Sequence, residues 1–198
     1  MRRMSIALRK RGMTREQFFD WAERQDTRHE FDGFEPVAMV GSTNNHSQIS
    51  QNIYLAIGNR LKGKPGRLLG PDAGLATIGD AVRYPDALVT CTPFKGTDRL
   101  VPGVVVVFEV LSPTSGRNDR IDKLREYRAV PSIRRYIILE HTSAALTVFS
   151  RLDGQAEWTA MPLTAKHTLA MPEIGTEVPI AEFYEGVDLP AADDPVTN

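Results

Sequence analysis

Sulfur chemistry is nearly absent from this chain. Cys91 is its one cysteine, which excludes an intramolecular disulfide framework and a Cys-rich zinc site. It closes the apolar run Ala87-Leu88-Val89-Thr90-Cys91 and is expected to behave as a small core residue. No segment approaches the length of a membrane span, and the basic start from Met1 to Arg11 lacks the apolar stretch of a signal peptide. The expected location is cytoplasmic. A dominant charge is also missing: 24 Lys and Arg stand against 25 Asp and Glu, a net charge of -1. Any contact with nucleic acid must then come from a local basic patch. There is no internal repeat, groove-reading motif or aromatic stacking platform, so sequence-specific recognition is not expected.

What is present suits one soluble globular domain: 198 residues, 41% hydrophobic and 25% charged. The domain is expected over residues 14–188. Residues 1–13 precede it as a disordered or basic arm, and because Met13 stands directly before a helix cap, that segment reads as an upstream extension. Residues 189–198 read as a frayed tail.

Thr14-Arg15-Glu16-Gln17 is a capping box, followed by a helical stripe of Phe18, Trp21 and Ala22. A hairpin is expected across the two-residue turn Asp32-Gly33. Ile49, Ile53, Ala56, Ile57 and Leu61 predict a helix over 44–61, stopped at Gly63. Strands are expected over 67–69, 74–78, 87–91 and 104–111, and the last is apolar on both parities, as in a central strand covered on both faces. A second helix over 119–129, a strand over 136–139 and a hairpin across Asp153-Gly154 follow, with a short helical turn near Glu182. The fold class is α/β (α+β): a mixed sheet flanked by helices, with additional antiparallel hairpins.

The loop over 92–103 has its midpoint between Thr97 and Asp98. If its flanking strands pair symmetrically about that point, Asp86 faces Glu109. Directly opposed residues have Cβ atoms about 4.5–5.5 Å apart, so two carboxylates there repel unless a cation lies between them. Mg²⁺ suits such a pair, since it takes hard oxygen ligands and often only one or two carboxylates. Taken singly, Asp86 is a turn residue after Pro85 and Glu109 the solvent end of a strand; together on facing strands they make a site.

Three blocks carry a resemblance: Arg83-Tyr84-Pro85-Asp86-Ala87-Leu88-Val89, then Val105 through Glu109-Val110-Leu111-Ser112-Pro113 to Ser115, then Asp119 through Lys123 to Tyr127. With Glu30-Phe31-Asp32-Gly33, His46 and Arg135-Tyr136-Ile137-Ile138-Leu139, they resemble the Uma-two family of the PD-(D/E)XK nuclease superfamily. The resemblance spans roughly residues 14 to 188 and implies a restriction-endonuclease-like fold and a Mg²⁺- or Mn²⁺-dependent endonuclease acting on DNA. It further implies that Asp86, Glu109 and the Val110 carbonyl bind the metal. The superfamily lysine usually lies two residues after the second acid, where this chain has Leu111. The family pattern supplies it from the next helix, at Lys123, which would orient the water and stabilise negative charge. Asp119 and Lys123 also read as an ordinary i,i+4 pair on an exposed helix.

The same pattern makes Glu30 and His46 members of the pocket, Glu30 as an extra metal or water ligand. By position alone Glu30 is an exposed strand residue and His46 a core or capping histidine. His29, His141 and His167 have no metal-cluster spacing. Arg117 and Arg120 are expected to contact phosphates, although a helix so rich in arginine also suits an amphipathic surface. The alternatives are a nucleic-acid-binding or regulatory protein that keeps the fold without turnover, and an interaction domain whose late hairpins form a partner or homodimer surface.

Overall fold

The structure, a computed structural model, describes residues 12–112, 117–152 and 155–190, except the side chains of 117 and 118. The expected arm and tail therefore lie largely outside the described residues, as do the Asp153-Gly154 turn and the Pro113–Ser115 end of the resemblance. In chain order the elements are α1 (Arg15–Ala22), β1 (His29–Phe31), β2 (Pro36–Ala38), α2 (Asn44–Leu61), β3 (Arg67–Leu69), β4 (Leu75–Ala76), β5 (Val82–Arg83), β6 (Ala87–Thr90) and β7 (Val104–Val110). Then follow α3 (Arg117–Ala129), β8 (Arg135–Leu139), β9 (Ala145–Ser150), β10 (Thr159–Thr164), β11 (Thr168–Met171) and β12 (Thr176–Pro179), with 3₁₀ turns at Pro172–Ile174 and Ile180–Tyr184.

Six strands form the main sheet in the order β10-β9-β8-β7-β6-β3. Every pairing in it is antiparallel except β7 with β8, which run parallel because α3 carries the chain across between them. Apolar residues of both parities let β7 serve two cores. Val106, Phe108 and Val110 pack with Ile49, Ile53 and Ile57 of α2 on one face. Val107 and Leu111 pack with Tyr127, Ile133 and Tyr136 on the other. A second sheet, β2-β1-β5-β4, stands beside the first and packs on α1 through Phe18, Phe31 and Val82. No helix among the described residues is long and apolar enough to cross a membrane.

Three local expectations change. The β1–β2 hairpin pairs Phe31 with Pro36, so its loop holds four residues, not two. Asp32 Oδ1 accepts from the amides of Phe34 and Glu35, both at 2.7 Å, which closes this wider turn around Gly33 at φ +92°. Cys91 is exposed rather than core. The sheet ends one residue earlier, where Thr90 Oγ1 donates to the Pro102 carbonyl at 2.6 Å and the ladder shifts register. The strand expected over 74–78 shortens to β4, while β5, β11 and β12 are additional.

Candidate active site

The pairs Ala87–Phe108, Leu88–Val107 and Val89–Val106 set the β6–β7 register, in which the next pair outward is Asp86 and Glu109. The irregularity sits at the opposite end, between Val89 and Thr90, and leaves this end intact. Asp86 is held from two sides. Its Oδ2 accepts from the Val110 amide at 2.7 Å, and its Oδ1 lies 3.3 Å from His46 Nε2. Tyr54, two turns further along α2, donates its hydroxyl to the Asp86 carbonyl.

His46 reaches this point because it occupies the first turn of α2, where its amide donates to the capping Thr43 hydroxyl at 3.3 Å. Burial opposes a charge on His46. The Asp86 hydrogen bond, the nearby Asp86 and Glu109 carboxylates and the Val110 carbonyl outweigh it, so its pKa rises above the ordinary value.

Glu109 points to the α3 side of the sheet. Residues three and four apart share one face of a helix, and on α3 that face presents Lys123, Glu126 and Tyr127. Glu109 Oε1 accepts from Lys123 Nζ at 3.1 Å and from the Tyr127 hydroxyl at 2.8 Å. Burial, with the Asp86 and Glu30 carboxylates adding to it, raises the Glu109 pKa to about 7 against the opposing pull of Lys123 and the Tyr127 hydrogen bond. Burial alone would lower the Lys123 pKa, but the Glu109 and Glu30 carboxylates reverse this and keep its ammonium charged.

Glu30 is 6% exposed, so the reading of an open strand position is corrected. The β5 strand and α3 cover it and supply its partners. Glu30 Oε1 accepts from the Tyr84 amide at 3.1 Å and lies 3.6 Å from Lys123 Nζ, and Oε2 accepts from Arg83 Nη1 at 3.1 Å. Arg83 then grips Glu126 with Nε and Nη2 at 2.8 and 2.7 Å. The sequence assigns Arg83, Glu126 and Tyr127 no site role, although all three lie within the blocks that carry the family resemblance. The available signal was the shared helical face with Lys123, which a charged helix does not advertise as buried.

A cavity of about 350 Å³ opens over Asp86, Glu109, Glu30, His46, Lys123 and the Val110 backbone. The structure therefore brings the five expected side chains together. Arg120 does not line it, and the Arg117 side chain lies outside the described residues. A larger open depression of about 950 Å³, between α1 and the β1–β2 loop, contains none of these groups. Among the described residues no three His, Cys, Asp or Glu side chains form a metal cluster. The hard donors at this point are instead two carboxylates and a backbone carbonyl. Burial, reinforced by the Asp86 and Glu30 carboxylates, holds the Glu109 pKa up; a divalent cation relieves the repulsion among them, and the donor set fits a Mg²⁺-like ion.

Similar sequences include two uncharacterized Synechocystis proteins. One, slr1290, is 28% identical over 174 residues, covering 87% of this chain and 91% of that protein. The other, sll1609, is 20% identical over 159 residues, covering 78% and 89%. Among solved structures, a putative nuclease belonging to DUF820 from Anabaena variabilis shares the fold with a TM-score of 0.68 at 14% identity, over 87% of this chain and 98% of that one. The profile of the Uma2 family, described as putative restriction endonuclease, matches residues 15–181, and the chain belongs to that family.

Proposed function

We propose that this protein is a Mg²⁺- or Mn²⁺-dependent endonuclease that hydrolyses phosphodiester bonds of DNA. The observation that carries this reading is the opposition of Asp86 and Glu109 at the end of β6 and β7, with Lys123 Nζ 3.1 Å from Glu109. Asp86, Glu109 and the Val110 carbonyl would hold the metal, whose chemistry when bound is to acidify water and offset phosphoryl charge.

The charges in the cavity support that assignment. Arg83 is committed to Glu126 and Glu30, and Lys123 offsets one further carboxylate. With all four carboxylates ionised, these two cations leave the cluster as a whole about two negative charges to be neutralised, which a divalent ion would supply. Lys123 stands where negative charge on a phosphate would develop, and a preset cation in a dry site is effective there. Tyr127 fixes the orientation of Glu109, and His46 fixes Asp86. Glu30 holds the far side of Lys123 rather than facing the ion alone.

Supercoiled plasmid incubated with Mg²⁺ or Mn²⁺ tests the reading, beside Asp86→Ala and Lys123→Ala. Nicking that requires the metal and disappears in both variants supports it. Nicking that survives Asp86→Ala, or a wild type that binds plasmid in a salt-dependent manner without cutting, overturns it; the latter result identifies a binding protein.

A further inference from the structure

Five buried or nearly buried groups of alternating charge run from the back of α3 to the carboxylate pair: Glu126, Arg83, Glu30, Lys123 and Glu109. The apolar anchorage of the helix that carries the lysine is slight. Leu124 and Tyr127 pack against the sheet, while Ile121 is 55% exposed. The strongest polar hold on α3 is the two-pronged Arg83–Glu126 pair, with Thr77 Oγ1 donating to Glu126 Oε2 at 2.8 Å. A forked guanidinium–carboxylate pair fixes direction as well as distance.

We propose that Arg83 and Glu126 are a positioning pair that seats α3 and sets Lys123 against Glu109 rather than Glu30. This rests on the nuclease reading, which gives Lys123 its task. Glu126 lies three residues beyond Lys123, so fixing one fixes the height and rotation of the other on a rigid helix. Arg83 also occupies Glu30 Oε2 and offsets its charge. Lys123 consequently sits 3.1 Å from Glu109 but 3.6 Å from Glu30. Without Arg83, Glu30 would be the stronger attractor, and the ammonium would swing off the reacting phosphate. Neither Arg83 nor Glu126 touches the ion or the substrate in this scheme.

The test uses the full chain with Glu126→Gln, which keeps the side-chain shape, alongside Arg83→Met and the charge-preserving Arg83→Lys. Three quantities are read: plasmid-nicking kcat and KM, Mn²⁺ affinity by calorimetry, and hydrogen exchange of the 119–129 amides. In Glu126→Gln, kcat should fall by about 100-fold, the scale of a misplacement near 1 Å, with KM and Mn²⁺ affinity within about threefold of wild type. Exchange should quicken in α3 and not in β7, and Arg83→Lys should fall between wild type and Arg83→Met. If Arg83→Met does not fold, Thr77→Val, which removes a single hydrogen bond to Glu126, supplies a milder perturbation in the same direction. A folded Glu126→Gln with wild-type α3 exchange and kcat overturns the proposal, as does a loss of Mn²⁺ affinity matching the loss of kcat. A wild type that never cuts defeats the nuclease reading; unchanged α3 exchange in the variants defeats the positioning pair separately.

Discussion

The Val110 amide donates to Asp86 Oδ2 at 2.7 Å, so the first acid is pinned to the backbone of the strand that carries the second. An amide side chain retains an oxygen able to accept that bond. Asp86→Asn should therefore leave the fold within about 1 kcal/mol of wild type. It should weaken Mn²⁺ binding by at least about 100-fold, the upper end of what even outer-shell losses cause. Thermal melting and calorimetry on one preparation check both halves.

A glutamate with a pKa near 7 in the folded chain binds a proton that its unfolded counterpart, near 4.5, has already released. Between those values the folded state holds more protons, so metal-free stability should fall as pH rises from about 4.5 to about 7 and then level off. The swing attributable to Glu109 is on the order of 3 kcal/mol. Urea midpoints at pH 5 and 8 measure it. Adding Mg²⁺ should raise the pH 8 value much more than the pH 5 value.

Tyr127 is fully buried and its hydroxyl donates a hydrogen bond to Glu109. Tyr127→Phe preserves the packing against Tyr136 but removes that donor. A stability loss of about 1–2 kcal/mol is expected, with nicking reduced and with metal affinity depending more steeply on pH around neutrality. Denaturant unfolding and a pH series of Mn²⁺ titrations provide the readouts.

Gly103 turns the chain into β7 at φ +59°, and a Cβ there would come within 2.7 Å of Thr92 Cβ. Gly103→Ala should cost about 2–4 kcal/mol through strain and overlap. The turn lies at the end of the β6–β7 ladder away from Asp86. Any variant that still folds should therefore keep its metal affinity, which calorimetry reports.

Much of this architecture can be read before any coordinates. The expected pairing of Asp86 with Glu109 matches the register of Ala87–Phe108, Leu88–Val107 and Val89–Val106, although the loop itself is not symmetric and Thr90 faces Val104; α2 has its expected bounds because Thr43 caps it and the apolar stripe ends at Leu61. What stays hidden has a common physical cause. Glu30, Arg83 and Glu126 carry charges that sequence patterns assign to water, and only the approach of α3 to a two-stranded stretch far away in the chain buries them. Cys91 fails in the opposite sense, because a register shift at Thr90 turns an apolar-looking position outward. The site is thus legible where neighbouring strands set it, and illegible where a distant helix completes it.

The parallel crossover from β7 through α3 to β8 also divides the cavity between short-range and long-range contacts. The two acids belong to adjacent strands and meet as soon as the local β6–β7 hairpin closes. Lys123 comes instead from the crossover helix and reaches back to Glu30 on β1, a contact between segments far apart in the chain. A chain that ended just past Val110 would carry Asp86 and Glu109 but not the cation opposite them. The candidate site is therefore whole only when its long-range contacts are made, so a truncated or partly folded copy would hold the carboxylates without their cation.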